Sequence, residues 1–168
     1  FVGNHDVTRL ANRLEDAATL EHALAVLFAV GGIPSVYAGD EQAFHGIKTE
    51  GEGGDDTVRP AFPESPQGLW PDGWPVYRRH QELIGLRRRH PWLIRARAKP
   101  LRLENTRLLL ELAHHGKRLY LALNLDGPAS FAAPDAKTVL AGRDAHLTGD
   151  GSLHLGAKGW AILSTAQC

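Results

Sequence analysis

Asn4, His5 and Asp6 place an amide, an imidazole and a carboxylate on consecutive residues, directly after the start Phe1-Val2-Gly3. A carboxylate fixed at the end of a strand can accept hydrogen bonds from hydroxyls or stabilise developing positive charge. The same three residue types also begin loops, where they only satisfy backbone groups. Asp40 and Glu41 hold the corresponding place after the apolar stretch 33–37, and read either as caps or as the rim of a site. Asp55, Asp56 and Arg59 lie in a Gly-rich segment further on. A carboxylate and a guanidinium so close in sequence pair to order a loop, and an Arg fork can also grip sugar hydroxyls. Trp70, Trp74 and Tyr77 supply aromatic faces, either for a sugar ring or for packing the adjoining helix.

Strand ends must hold these residues, and the first half of the chain has the pattern for them. Phe1-Val2 reads as the stub of a strand ending in the Asn-His-Asp cluster. Residues 16–30 read as a helix, with Leu20, Leu24, Leu27 and Phe28 at helical spacing, Asp16 as N-cap and Gly31 as stop. Residues 33–37 form a second short apolar strand, and 42–73 a long loop rich in Gly and Pro. A second helix begins near Pro75 and closes with Arg87, Arg88 and Arg89 before Pro91. Cations in the last helical turn answer the dipole, which accounts for the three arginines without a nucleic acid. Strands separated by helices are the grammar of parallel sheets, whose active sites gather at the C-terminal strand ends.

Beyond Pro91 the period changes to two. Leu108–Leu112 and Leu119–Leu123 flank His114-His115-Gly116-Lys117, a hairpin signature. Asp150-Gly151 marks another tight turn between 145–147 and 153–155, and 159–163 reads as a closing strand. Short strands with frequent turns predict a small antiparallel sandwich. Tyr120, Phe131 and Trp160 sit where core residues are expected.

The 168 residues balance 19 Lys and Arg against 19 Asp and Glu. A formal charge of zero lacks the field that gathers nucleic acid or an anionic membrane. The single cysteine, Cys168, excludes an internal disulfide, and no His, Cys or carboxylate spacing matches a metal site. No phosphate loop or nucleophile elbow is present. The lone cysteine and the absence of a signal peptide point to a cytoplasmic location, with secretion left open. The chain has no methionine, so it is expected to be a piece of something longer.

Three segments together resemble the α-amylase family, glycoside hydrolase family 13. Phe1-Val2-Gly3-Asn4-His5-Asp6 resembles the motif ending that family's seventh barrel strand. Gly32-Ile33-Pro34-Ser35-Val36-Tyr37-Ala38-Gly39-Asp40-Glu41 resembles its eighth strand and the turn after it, and Asp55-Asp56-Thr57-Val58-Arg59-Pro60 more loosely resembles a segment of the following loop. The resemblance spans the chain. It implies an α/β plus all-β fold, with the final β/α units of a TIM (β/α)8 barrel over residues 1–93. A small antiparallel β-sandwich domain would follow over residues 94–168.

Carried across, Asp6 matches the family's transition-state-stabilising carboxylate and His5 a histidine that binds a sugar hydroxyl. Asn4 and Arg9 would support that wall of the pocket, and Asp56 and Arg59 would line the cleft. The nucleophilic Asp and acid/base Glu of the family belong to earlier strands, so this stretch alone is expected to be inert. The implied partners are an α-linked glucose oligosaccharide or polysaccharide and the earlier part of the barrel. No cofactor is implied within these residues, the family's calcium ligands lying in the earlier region. Hydrolysis and transglycosylation, including trehalose formation, are not separated by these motifs. A reading of another class is a non-catalytic carbohydrate-binding or interaction module built on the all-β tail.

Overall fold

The computed structural model describes residues 1–14, 16–71 and 73–166. Cys168 lies outside them. The chain forms two compact units, Phe1–Leu24 with Pro34–Glu82, and Ala25–Ile33 with Leu83–Cys168. Both long helices cross from one unit to the other in sequence.

The first unit is held by turns and helices. α1 (Leu10–Arg13) is a single turn. α2 (Ala17–Ala29) starts where expected: Asp16 Oδ1 accepts the Ala18 N–H at 3.1 Å, and Oδ2 accepts the Thr19 hydroxyl at 3.1 Å. Its apolar stripe, Leu20, Leu24, Leu27 and Phe28, is buried as the spacing requires. Short 3-10 turns follow at Asp40–Gln42, Asp56–Val58 and Pro66–Gly68. α3 (Gly73–Arg89) takes Pro75 into its first turn. The two barrel strands expected at 1–2 and 33–37 are not formed as strands among the described residues. A strand exists only as a member of a ladder, and parallel ladders draw partners from distant chain. Neither segment has one, and Phe1 and Ile33 are exposed.

The second unit is built on strands. They are β1 (Arg97–Leu103), β2 (Arg107–His114), β3 (Lys117–Asn124), β4 (Ala129–Ala132), β5 (Thr138–Leu147) and β6 (Ser152–Ser164). All pairings are antiparallel, in the order β1-β2-β3-β6-β4, with β5 on β6 as well. The β2–β3 hairpin closes on the pair His114 and Lys117. Its two turn residues, His115 and Gly116, have φ of 46° and 78°, the left-handed pair of a type I′ turn. Gly151, with φ of 83°, makes the β5–β6 turn as its Asp-Gly sequence indicated.

The expected sandwich is instead one continuous curled sheet. Leu109, Tyr120, Phe131, Leu153 and Leu163, from β2, β3, β4 and β6, share one cluster with Val139 and Leu147 of β5. A sheet whose strands all face a common core must curl around it. The opposite face is covered too, since Leu112, Leu121, Trp160 and Ile162 are buried. This unit also takes the ends of both helices. Arg87 donates to Phe28 O and Val30 O, each at 2.8 Å, and to Gly32 O, closing the C-terminus of α2.

Candidate functional site

The first unit brings together three segments that are far apart in sequence. The first is the Asn4–Asp6 turn. Asn4 Oδ1 accepts the Asp6 N–H at 2.8 Å, an Asx turn that sets the direction of the following carboxylate. His5 Nε2 lies 3.2 Å from Asp6 Oδ2, and both side chains are more than half exposed.

The second segment is the loop 46–59. Arg9 N–H donates to Gly46 O at 2.9 Å, Gly46 N–H to Asn12 Oδ1 at 2.5 Å, and Lys48 N–H to Thr8 Oγ1 at 3.0 Å. These bonds lay the loop along residues 8–12. The guanidinium of Arg59 then reaches the turn, with Nε donating to His5 O at 3.2 Å and Nη2 to Asp6 Oδ1 at 3.2 Å. The same Nη2 donates to Asp55 Oδ2 at 2.8 Å, and the other Asp55 oxygen meets Lys48. Asp6, Arg59, Asp55 and Lys48 thus alternate in charge, running from the exposed turn to a half-buried pair. Chains of this kind fix carboxylate direction more than they stabilise the fold, because water screens each pair.

The third segment, 37–41, is held from beneath. Arg9 Nη1 donates to Ala38 O at 2.8 Å and to Asp40 Oδ1 at 2.9 Å, with its guanidinium carbon 4.1 Å from the centre of the Tyr37 ring. Both Arg9 and Asp40 are buried. Burial pushes the Asp40 carboxyl above the usual carboxylate value, while the hydrogen bond and charge of Arg9 pull it back. Gly3 lies against Asp40 so closely that a Cβ there would collide with its carboxylate. Gly39 takes φ of 94°, and its N–H donates to Glu41 Oε2 at 2.9 Å. His80 is buried nearby on α3, and burial lowers its pKa, opposed by the hydrogen bond of Nδ1 to Val76 O and then by the charges of Glu41 and Asp40.

The sequence-derived candidates therefore separate into two groups. Asn4, His5, Asp6 and Arg59 gather at one exposed corner. Arg9 is close behind but faces inward to Asp40 and Tyr37, so it positions backbone and touches no open surface. Asp56 shares the lining of an open cavity of about 390 Å³ with Arg59 and Asp55 but makes no bond to Arg59's guanidinium. Within the loop, the carboxylate that holds Arg59 is that of Asp55, four residues before it, rather than that of Asp56. Asp40 is the buried counter-ion of Arg9. Among the described residues no group of three His, Cys, Asp or Glu could hold a metal ion, and no helix is long and apolar enough to cross a membrane.

No family model matches the chain. An uncharacterized glycosyl hydrolase of Schizosaccharomyces pombe is 33% identical over 91 residues, covering 52% of this chain and 16% of that protein. The cyclic α-maltosyl-(1→6)-maltose hydrolase of Arthrobacter globiformis superposes with a TM-score of 0.75 at 24% identity, over 98% of this chain and 34% of its own. The trehalulose synthase MutB of Pseudomonas mesoacidophila MX-45 superposes at 0.77 and 18% identity, over 96% of this chain and 42% of its own. Both solved structures are α-amylase-family enzymes. This chain has their fold.

The likeness runs through both units, and the curled sheet matches the C-terminal domain of such enzymes. The chain spans about two-fifths or less of the length of these structures and a smaller share of the curated relative.

Proposed function

We propose that this chain is the C-terminal part of a retaining α-glycosidase of the α-amylase family, acting on α-glucans or malto-oligosaccharides. The supporting observation is the corner where Asn4, His5, Asp6 and Arg59 converge. Asp6 carries an exposed carboxylate whose direction is set by the Asn4 turn and by Arg59. An oxocarbenium-like transition state gains from such a fixed negative group, because no reorganisation is needed as charge develops. His5 stands beside it to donate a hydrogen bond to a ring hydroxyl, a bond that tightens as the ring carbon becomes positive.

Retaining hydrolysis also needs a nucleophile and an acid/base, two carboxylates about 5–5.5 Å apart. In this reading both come from earlier barrel strands of the full-length protein, and residues 1–93 complete that barrel. The unpaired segments at 1–2 and 33–37, with Phe1 and Ile33 exposed, are what such strands leave when their neighbours lie elsewhere. The curled sheet then acts as a shielding domain. The binding-module alternative draws no support from the burial of Tyr120, Phe131 and Trp160, which leaves the sheet without an aromatic platform.

The test is hydrolysis of maltotetraose by the full-length protein, followed by proton NMR of the first product formed. The proposal expects the α-anomer first, and no release of sugar by the 168-residue chain alone. Release of the β-anomer, or turnover by the isolated chain, contradicts it.

A further inference from the structure

The zero net charge conceals a division. Residues 1–82 carry six Lys and Arg against thirteen Asp and Glu, and residues 83–168 carry thirteen against six. Part of that excess converges on one place in the sheet unit. Arg97 and Lys99 are two apart on β1 and so share a face, and the register sets Ala113 and Glu111 beside them. Arg118 of β3 lies beyond Ala113, and Lys117 with His114 and His115 forms the hairpin end. Together these residues line an open groove of about 540 Å³.

Most of this charge is uncompensated. Arg118 is paired with Glu111 at 3.2 Å and with Asp135 at 3.0 Å. Arg97, Lys99 and Lys117 make no ion pair among the described residues, and all three are exposed. Like charges held together cost free energy unless an anion joins them. The one acid in the lining, Glu111, is already engaged. A groove of this size has room for a phosphate group and a small ester carrying it.

We propose that this groove binds a phosphate group, carried on a small ester such as a sugar phosphate or free as inorganic phosphate. Arg97 offers a planar fork to two oxygens, Lys99 adds a point charge on the same face, and Lys117 adds one from the hairpin end. The inference is independent of the glycosidase reading.

The experiment is isothermal titration of the full-length protein with inorganic phosphate, glucose 6-phosphate and glucose. The comparison is the Lys99→Ala, Lys117→Ala double variant, whose changes lie on exposed side chains. Saturable binding of either phosphate compound, weakened about tenfold or more in the variant, supports the proposal. A clear preference for glucose 6-phosphate identifies the ester as ligand, and equal binding identifies free phosphate. Binding unchanged by the substitutions, no saturation by either compound, or glucose binding as well as its phosphate overturns it. So does a short RNA held far more tightly than phosphate, which would make the groove part of a nucleic-acid face. A second readout is His114, whose pKa is lowered by desolvation and then by His115, Arg95 and Lys117. A bound dianion favours the imidazolium, so phosphate must move the His114 titration upward; an unmoved titration contradicts binding at this groove.

Discussion

The Arg59 guanidinium reaches Asp6 across 53 residues of chain, Nη2 to Oδ1 at 3.2 Å. Because the same nitrogen also donates to Asp55 at 2.8 Å, it tethers the loop that carries Arg59 to the turn that carries Asp6. The proposed reaction needs a carboxylate of fixed direction, and Arg59 is the group that couples that direction to the loop.

Replacing Arg59 with Ala separates positioning from stability. The pair is largely exposed, so the loss in unfolding free energy should be no more than about 1 kcal/mol. If the full-length protein is the proposed glycosidase, its kcat/KM on malto-oligosaccharides should fall by about tenfold or more, with only partial rescue by Arg59→Lys, which lacks the fork. A melting temperature that drops sharply while kcat/KM is kept would assign Arg59 to the fold alone.

Arg9 and Asp40 should behave in the opposite way. Their pair at 2.9 Å is buried, and removing one partner strands the other charge. Arg9→Met or Asp40→Leu alone should each destabilise by about 3–5 kcal/mol, and the double substitution by much less than the sum. Chemical denaturation of the full-length protein measures this. Additive losses would show that the two residues act separately.

How much of this was legible in the sequence depended on how local the cause was. α2 declared itself through Asp16 and the spacing of Leu20, Leu24, Leu27 and Phe28. The β2–β3 hairpin declared itself through His115-Gly116, residues suited to a left-handed turn. Arg87 was read as a cation answering its own helix dipole, whereas it closes the carbonyls of α2, nearly sixty residues away. Short strands with frequent turns fit a sandwich as well as a single curled sheet, and the joining of both β4 and β5 to β6 is decided by tertiary contacts. At the site, the cluster of Asn4, His5 and Asp6 was visible as a motif. The pairing of Arg59 with a nearby carboxylate is visible too, but only the folded loop shows that Asp55 rather than Asp56 turns toward it.

His80 gives the pH dependence its sign. Its folded-state pKa is lowered from 6.5 by burial, so the folded state favours the neutral ring. The stabilisation is full above 6.5 and is lost as pH falls through the lowered folded-state value. His80→Gln should therefore lose less stability than the parent when pH drops from neutrality toward that range. Urea midpoints of the two proteins across the acid range test this, and parallel declines would remove His80 from the account.

The burial of Trp160 and Tyr120 makes the sheet's aromatics structural. Trp160→Ala should cost about 3–5 kcal/mol. Reduced glucan binding by Tyr120→Ala or Trp160→Ala at an unchanged melting temperature would restore the binding-module reading.

The most direct measurement is the turnover of a malto-oligosaccharide by the full-length protein and by its Asp6→Asn variant. The substitution keeps the size of the side chain and removes its charge. The expected result is a loss of roughly 10²–10³ in kcat, as when one electrostatic stabiliser is removed, with the melting temperature close to the parent's. Turnover within a factor of two or so of the parent's, well inside one tenfold step of 1.4 kcal/mol, would contradict the assignment of Asp6.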